Sequence, residues 1–293
     1  MEENNKLVKK ENASGLSLIN LFDEKQLAGA EVFLKKIVCS EKGGIKNVND
    51  GLAILMRAQD LNLPFSSCIE HIHVINGKTG IDIHIIKALL SKAGIVWKCI
   101  DDYVPQYQYT DGSNIYNERD IPSYCKKCRN QKEAEEATKD EVVGVYPLKF
   151  YSDLSGNIYN EFQISDKCVK AINLAHAKKL AAEKQFPVIR TIAKPIDYIT
   201  TYEFTRYKIV NGKTIEVKAT SHFSFTEANA AKFFEKDTYL KYARIMISHR
   251  AFTLGARDIA SDILMGVQET TEIKLINDLD LQPSDFDDAE VVR

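Results

Sequence analysis

The segment from Tyr239 to Val267 constrains the fold of this chain most, because it predicts one long helix that is apolar on nearly all sides and still carries arginines. Arg250 and Arg257 are seven residues apart and therefore lie about 20° from each other around a helix. The residues around them are small or apolar: Ala243, Ile247, Ala251, Leu254 and Ala256. Burying arginine is costly unless a partner neutralises it. The two guanidinium groups therefore need either internal carboxylates, such as Asp258 or Asp262, or an external polyanion.

Three further basic residues occur in the same predicted helix: Lys241, Arg244 and His249. Lys241 and Arg244 project away from the side that carries Arg250, so the helix would present positive charge in two directions. This arrangement suits a protein that holds an anionic strand on one side of the helix and a neighbouring subunit or a second strand on the other.

Length and composition indicate a soluble globular protein. The chain has 293 residues, of which 44% are hydrophobic, and this is enough for one large domain or two small ones. It has no run of 18 apolar residues and no apolar signal segment at its N-terminus. The six cysteines are scattered, which favours reduced thiols. We therefore expect a cytoplasmic protein without a membrane partner.

The formal net charge of −2 is unevenly distributed. Residues 268–293 contain eight acidic residues against Lys274 and Arg293, so the remainder of the chain has a net charge of about +4. A mildly basic body with an acidic C-terminal tail is compatible with a partner that carries phosphates.

The order of helical and strand patterns predicts an α+β fold in which antiparallel hairpins pack with helices. We expect a disordered N-terminus (1–15), a core (16–267) with an irregular insertion (103–165) that holds eight of the thirteen tyrosines, and an acidic tail (268–293). Asn76-Gly77 and Asn211-Gly212 are typical turns of β-hairpins. Helices are predicted at Leu16–Ser40, at His84–Ala93, at Asp166–Glu183, after a cap at Thr226, and at Tyr239–Val267. A further helix is predicted after a cap at Asn49 or Asp50 and stops before Pro64, and a short helix or turn follows at Phe65–Glu70.

Short motifs for catalysis or metal binding are weak in this chain. Gly-Lys-Thr follows each Asn-Gly turn, but the full phosphate-loop pattern is missing, so Lys78 and Lys213 are candidates only for simple phosphate contact. Cys125 and Cys128 form half of a zinc site without a second pair at matching spacing, so zinc is not expected. His71 and His73 lack further ligands, and no motif for a catalytic nucleophile occurs, so we assign no catalytic residues.

Two segments resemble a known family. Residues 246–257, MISHRAFTLGAR, are similar to the C-terminal core motif of phage single-strand annealing proteins of the RecT/Bet (Redβ) superfamily. Residues 53–94 resemble the pattern of the same family, in which a helix ends in a Leu-x-Pro turn, an Ile-x-Val-Ile-x-Gly-Lys hairpin follows, and a second helix ends near Gly94. Together the two matches cover about a third of the chain, and residues 103–165 have no counterpart in the pattern.

The resemblance implies annealing of complementary single-stranded DNA without ATP, by rings or helical filaments of many copies. By position, Arg250 and Arg257 would contact phosphates, with Met246, Ala251 and Ala256 as packing residues. No cofactor is required, although Mg²⁺ can accompany the DNA, and a phage exonuclease or a host single-strand-binding protein is the expected partner in the host cytoplasm. The alternatives are a phage structural or assembly protein whose arginines pair internally, and a metal-dependent nuclease, for which a carboxylate cluster is missing.

Overall fold

A computed structural model describes residues 19–20, 23–38, 45–139, 141–265, 268–270 and 273. It confirms the predicted α+β class and the long helix near the C-terminus. The chain divides into two compact units. Unit 1 comprises the residues up to Lys98, Tyr202–Ser221 and those from Phe252 onward, and unit 2 comprises Cys99–Thr201 and His222–Ala251. The predicted disordered N-terminus, and the predicted tail apart from residues 268–270 and 273, lie outside the described residues.

The described residues form eight α-helices and fourteen strands. The helices are α1 (Glu24–Ile37), α2 (Val48–Asp60), α3 (Phe65–His71), α4 (Ile83–Lys92), α5 (Gln131–Thr138), α6 (Leu174–Ala182), α7 (Phe225–Ala230) and α8 (Asp237–Leu264). The strands are β1 (Ile72–Ile75), β2 (Lys78–Ile81), β3 (Val96–Gln106), β4 (Gln108–Thr110), β5 (Ile115–Asn117), β6 (Cys125–Lys127), β7 (Val143–Pro147), β8 (Phe150–Ser152), β9 (Ile158–Asn160), β10 (Cys168–Ala171), β11 (Phe186–Thr191), β12 (Asp197–Val210), β13 (Lys213–Ser224) and β14 (Gln268–Glu269).

In unit 1, the first predicted hairpin is β1–β2, with Ile75 paired to Lys78. Asn76 and Gly77 both have positive φ, 49° and 78°, which a two-residue hairpin turn of type I′ requires. β14 pairs in parallel with β2, so the first residues of the predicted tail belong to this sheet. A Cβ at Gly80 would lie 2.8 Å from the Ile273 side chain and 3.0 Å from the Thr270 backbone, so glycine permits this close approach.

The second predicted hairpin is β12–β13, which forms a three-stranded sheet in the order β13-β12-β3. Within unit 1, Phe252 of α8 lies against this sheet. Its ring centroid is 5.2 Å from that of Phe204, and 5.4 Å from those of Tyr202 and Trp97. Phe204 and Phe252 are both fully buried. The apolar character of α8 therefore reflects packing against a sheet, which accounts for this part of the helix without any ligand.

The prediction of an irregular insertion over residues 103–165 is wrong. Six short strands and α5 lie within this range, and they belong to two sheets with the orders β5-β4-β7-β6 and β10-β11-β8-β9. The strands β4, β5, β6, β8 and β9 have only three residues each, which is too short for a clear alternation of apolar and polar positions. Unit 2 thus contains regular structure that the sequence pattern did not reveal.

The two sheets of unit 2 are an internal duplication. Module 1 (residues 107–148) and module 2 (149–192) have the same element order, two antiparallel strands, a third strand, a helix and a fourth strand. Cys125 pairs with Val143 in module 1, and Cys168 pairs with Phe186 in module 2. Each residue of the second pair lies 43 positions after its equivalent in the first pair. The hairpins agree as well, since Tyr109 pairs with Tyr116 and Tyr151 with Tyr159.

Equivalent side chains hold the first turn of each module. Asp111 accepts hydrogen bonds from the Ser113 and Asn114 backbone N–H groups (2.8 and 2.7 Å) and from the Tyr116 hydroxyl (2.8 Å). Asp153 accepts the corresponding bonds from Ser155, Asn157 and Tyr159, at 2.8, 3.0 and 3.1 Å. Burial acts to raise the pKa of Asp111, but the bonds from Asn114, Ser113 and Tyr116 outweigh it and lower this pKa. Tyr116 and Tyr159 therefore each stabilise the first turn of their module.

The predicted starts of three helices, α6, α7 and α2, are wrong. Residues 168–171, within the predicted helix Asp166–Glu183, form β10, because Cys168–Ala171 pair in parallel with β11, and α6 begins only at Leu174. α7 is capped by Ser224, not by Thr226, because Ser224 and Glu227 bond reciprocally in a capping box. α2 is capped by Asn47, whose Oδ1 accepts from the Asp50 N–H at 2.8 Å, since Asn49 and Asp50 are already helical.

Candidate nucleic-acid interface

Arg250 lies on α8 within unit 2 and is half-buried. Its guanidinium carbon is 5.9 Å from the centroid of the Phe233 ring, which is within the range of a cation–π contact. Phe233 in turn packs against Phe223 and Tyr239, with centroid distances of 6.1 and 5.1 Å. The Arg250 guanidinium group therefore packs against an aromatic ring, an arrangement that suits a preorganised anion-binding group.

Arg257 lies on the part of α8 that belongs to unit 1, and it is also half-buried. Asp262, one of the two carboxylates considered as its internal partner, is bonded by Arg206 at 2.6 and 2.8 Å. This bidentate bond lowers the pKa of Asp262 and raises that of Arg206. Asp258, the other candidate, is exposed. Sequence reasoning missed Arg206, although it continues the Tyr202–Phe204 alternation that faces the core of unit 1.

Lys241 and Arg244 are exposed on the N-terminal half of α8, in unit 2. Lys241 donates to Asp237, one helical turn earlier, at 3.0 Å. Arg244 forms a bidentate pair with Asp102 of β3, in which Nε is 3.2 Å from Oδ1 and Nη2 contacts Oδ2. The hydrogen bond from Arg244 lowers the pKa of Asp102. Asp102 thus competes with a phosphate for two of the five donors of the Arg244 guanidinium group.

Asp102→Asn should therefore strengthen binding to single-stranded DNA about three- to tenfold at low salt, because it removes a carboxylate that competes for Arg244. Fluorescence anisotropy with a labelled oligonucleotide measures this effect. Glu136→Gln is the matched control, since Glu136 is an exposed acid of α5 in the same unit, and its removal changes the net charge equally. An equal gain in both variants would mean that Arg244 does not contact DNA.

The remaining predicted basic residues are spread over both units. His249 is half-buried on α8 in unit 2, whereas Lys78 and Lys213 are exposed beside the two hairpin turns of unit 1. Arg57, which the sequence reasoning missed, lies next to Lys78, because its Nε donates to the Thr79 hydroxyl at 3.2 Å. Its position in the last turn of α2 was the available signal. Arg57 and Lys78 together give this hairpin two cations.

Cys125 and Cys128 are explained by the internal duplication. Cys128 is buried with Ala134, Ala137 and Tyr146 in a small apolar cluster. Ala171 takes the equivalent position in module 2, where it packs against Ala177 and Leu180 of α6. The side chain of Cys128 thus fills a core position that needs only a small residue. Within the described residues, no group of three potential metal ligands occurs.

Comparisons with known proteins give no assignment, since no family model, curated protein or solved structure matches this chain. In the described part of the chain, no helix is both long enough and apolar enough to cross a membrane. The candidate interface consequently rests on the residues themselves. The candidate residues are Arg250, Lys241 and Arg244 in unit 2 and, separately, Arg257, Lys78 and Lys213 in unit 1.

Proposed function

We propose that this chain binds single-stranded DNA and anneals complementary strands without ATP, in phage homologous recombination. The observation that carries the proposal is the pair of half-buried arginines on α8, of which Arg250 is held over the Phe233 ring. A guanidinium with an immobilised side chain binds phosphate at a smaller entropic cost than a free surface lysine. The resemblance of residues 53–94 and 246–257 to annealing proteins supports the same function.

The chemistry that annealing requires is modest. A protein that captures the sugar–phosphate backbone and leaves the base edges free allows a second strand to pair. Cations on α8 and at the hairpins supply such backbone contacts, and no nucleophile or metal is needed for the reaction. Assembly into rings or filaments would place successive copies along one strand. A phage exonuclease or a host single-strand-binding protein would then deliver the strand in the host cytoplasm.

Annealing of two complementary oligonucleotides, one with a fluorophore and one with a quencher, tests the function directly. We expect the chain to accelerate annealing at least tenfold over the spontaneous rate, without ATP and with a loss of rate at high salt. A non-complementary pair is the control, and it should give no quenching. An annealing rate equal to the spontaneous one would contradict the proposal.

One observation favours a second candidate, a phage structural or assembly protein. Arg206 pairs with Asp262 and Arg244 with Asp102, so two arginines of the chain do form internal ion pairs. In this case the cations stabilise the fold and have no DNA partner. The affinity for a labelled single strand at low salt separates the two functions, because an assembly protein should bind it no better than a protein of similar charge.

A further inference from the structure

Module 2 contains a cleft that is separate from the cations of α8. Its volume is about 340 Å³, and it is lined by Tyr159, Gln163, Ile164, Ser165, Lys167, Cys168 and Phe186. Clefts that bind small molecules begin at about 300 Å³ and combine apolar walls with a few polar groups. The cleft of module 2 meets both conditions.

Two aromatic residues and one lysine are among the residues that line the cleft. Phe186, the first residue of β11, exposes 49% of its surface, which leaves its ring accessible to a ligand. The Tyr159 ring is held in place because its hydroxyl donates to Asp153 at 3.1 Å. Gln163 accepts from the Asn160 N–H at 3.0 Å through its carbonyl, which leaves its amide N–H₂ as a donor. Lys167 is exposed and supplies a positive charge.

Comparison of the modules shows which of these residues the fold itself requires. Tyr116 and Cys125 of module 1 match Tyr159 and Cys168 of module 2 in the sheet register. Phe186, however, corresponds to Val143, which pairs with Cys125 at the equivalent position. At the same offset of 43 residues, Ser165 and Lys167 correspond to Pro122 and Tyr124. The framework is thus duplicated, whereas module 1 has valine, proline and tyrosine at the positions of Phe186, Ser165 and Lys167.

We propose that this cleft binds a nucleoside monophosphate unit. The base would stack on Phe186 and contact Ile164. Gln163 and Ser165 would supply hydrogen bonds, and Lys167 would neutralise the phosphate. Stacking on an aromatic side chain tolerates any base, because every base has a π face. The unit comes either from a single-stranded DNA or from a free nucleotide. The site depends on neither Arg250 nor Arg257, so it stands or fails separately from the proposed annealing.

Protection of Cys168 from alkylation tests the cleft in the full-length chain. Cys168 lines the cleft, and Cys125 is its half-buried counterpart in module 1, so each molecule carries its own control. With dAMP or an oligo-dT as the ligand, we expect the rate of iodoacetamide modification at Cys168 to fall at least threefold, while that at Cys125 stays unchanged. Peptide mass spectrometry separates the two sites. Protection by dAMP indicates a free nucleotide, and protection by the oligonucleotide alone indicates a unit of a strand.

Two variants of exposed residues test the two parts of the cleft. Phe186→Val gives module 2 the residue that module 1 has at the equivalent position, and Lys167→Gln removes the charge of an exposed side chain, so we expect both to fold. Each should raise the ligand concentration for half-protection of Cys168 about tenfold, because stacking or phosphate contact is lost. Val143→Phe in module 1 is the control, and it should leave this concentration unchanged. Absence of protection by either ligand, or equal protection of both cysteines, or an unchanged response of Phe186→Val, would overturn the proposal.

Discussion

Replacing Arg250 and Arg257 together with alanine should weaken binding to single-stranded DNA about a hundredfold at moderate salt. A hydrogen bond to a charged group contributes about 1.5–3 kcal/mol, so the loss of two phosphate contacts costs at least about 3 kcal/mol. The slope of log K against log salt should also become less steep, by about 1.4, since each phosphate contact with a single strand releases about 0.7 counterion. Anisotropy titrations across a range of salt concentrations give both quantities.

Two control variants distinguish phosphate contacts from a general effect of charge. Lys178→Ala with Lys179→Ala removes two exposed cations of α6, which were not predicted to contact DNA, and should leave the slope nearly unchanged. Arg250→Lys with Arg257→Lys keeps both charges but loses the planar guanidinium, so the slope should persist while the affinity falls. The site assignment is wrong if the alanine pair folds and binds like the unmodified chain throughout the titration.

The loss of Arg250 must also be separated from a loss of stability. Its contact with Phe233 contributes about 0.5–1 kcal/mol at a partly exposed site, so Arg250→Ala should lower the free energy of unfolding by at least about this amount. A variant that unfolds during the binding measurement would lose signal at every salt concentration. Circular dichroism at each salt concentration detects such a loss.

The parts of the fold that could be predicted are those in which local sequence signals agree. The hairpins at Asn76-Gly77 and Asn211-Gly212 combine apolar runs with the residue pair that a type I′ turn needs, and both turns have positive φ. The helix of residues 239–267 was predicted within three residues of α8 at each end, because 28 consecutive residues contain neither proline nor a strong turn signal. For these segments, the residues that determine the secondary structure lie within about ten positions of one another along the chain.

The internal duplication has a sequence signal as well, but it is short and interrupted. Residues 111–118 read DGSNIYNE and residues 153–161 read DLSGNIYNE, so the additional glycine, Gly156, shifts the two copies by one residue. The pairing itself was not predictable, because three-residue strands carry little periodicity and find their partners through distant packing. The partners of the candidate site are similarly remote, since Arg244 and Asp102 are 142 residues apart.

Gly255→Ala should lower the stability of unit 1 by about 1–3 kcal/mol, although glycine to alanine within a helix normally stabilises. A Cβ at this position would lie 2.8 Å from Phe204 Cδ2 and would overlap Phe204 Cε2 and the Ser221 hydroxyl. Phe204 is fully buried against Phe252 and therefore has little freedom to move. The only tryptophan, Trp97, contacts Phe252, so its fluorescence during urea unfolding reports on unit 1.

Gly29→Ala on α1 is the matched control for this prediction. No atom lies within 4 Å of a Cβ at that position, so the same chemical change should stabilise by about 0.5–1 kcal/mol. Phe204→Leu should cost less in the Gly255→Ala background than in the unmodified chain, because a smaller side chain relieves the overlap. Strictly additive effects of the two changes would show that α8 moves away from the sheet. In that case, the close packing of α8 at Gly255 would not hold the helix in position.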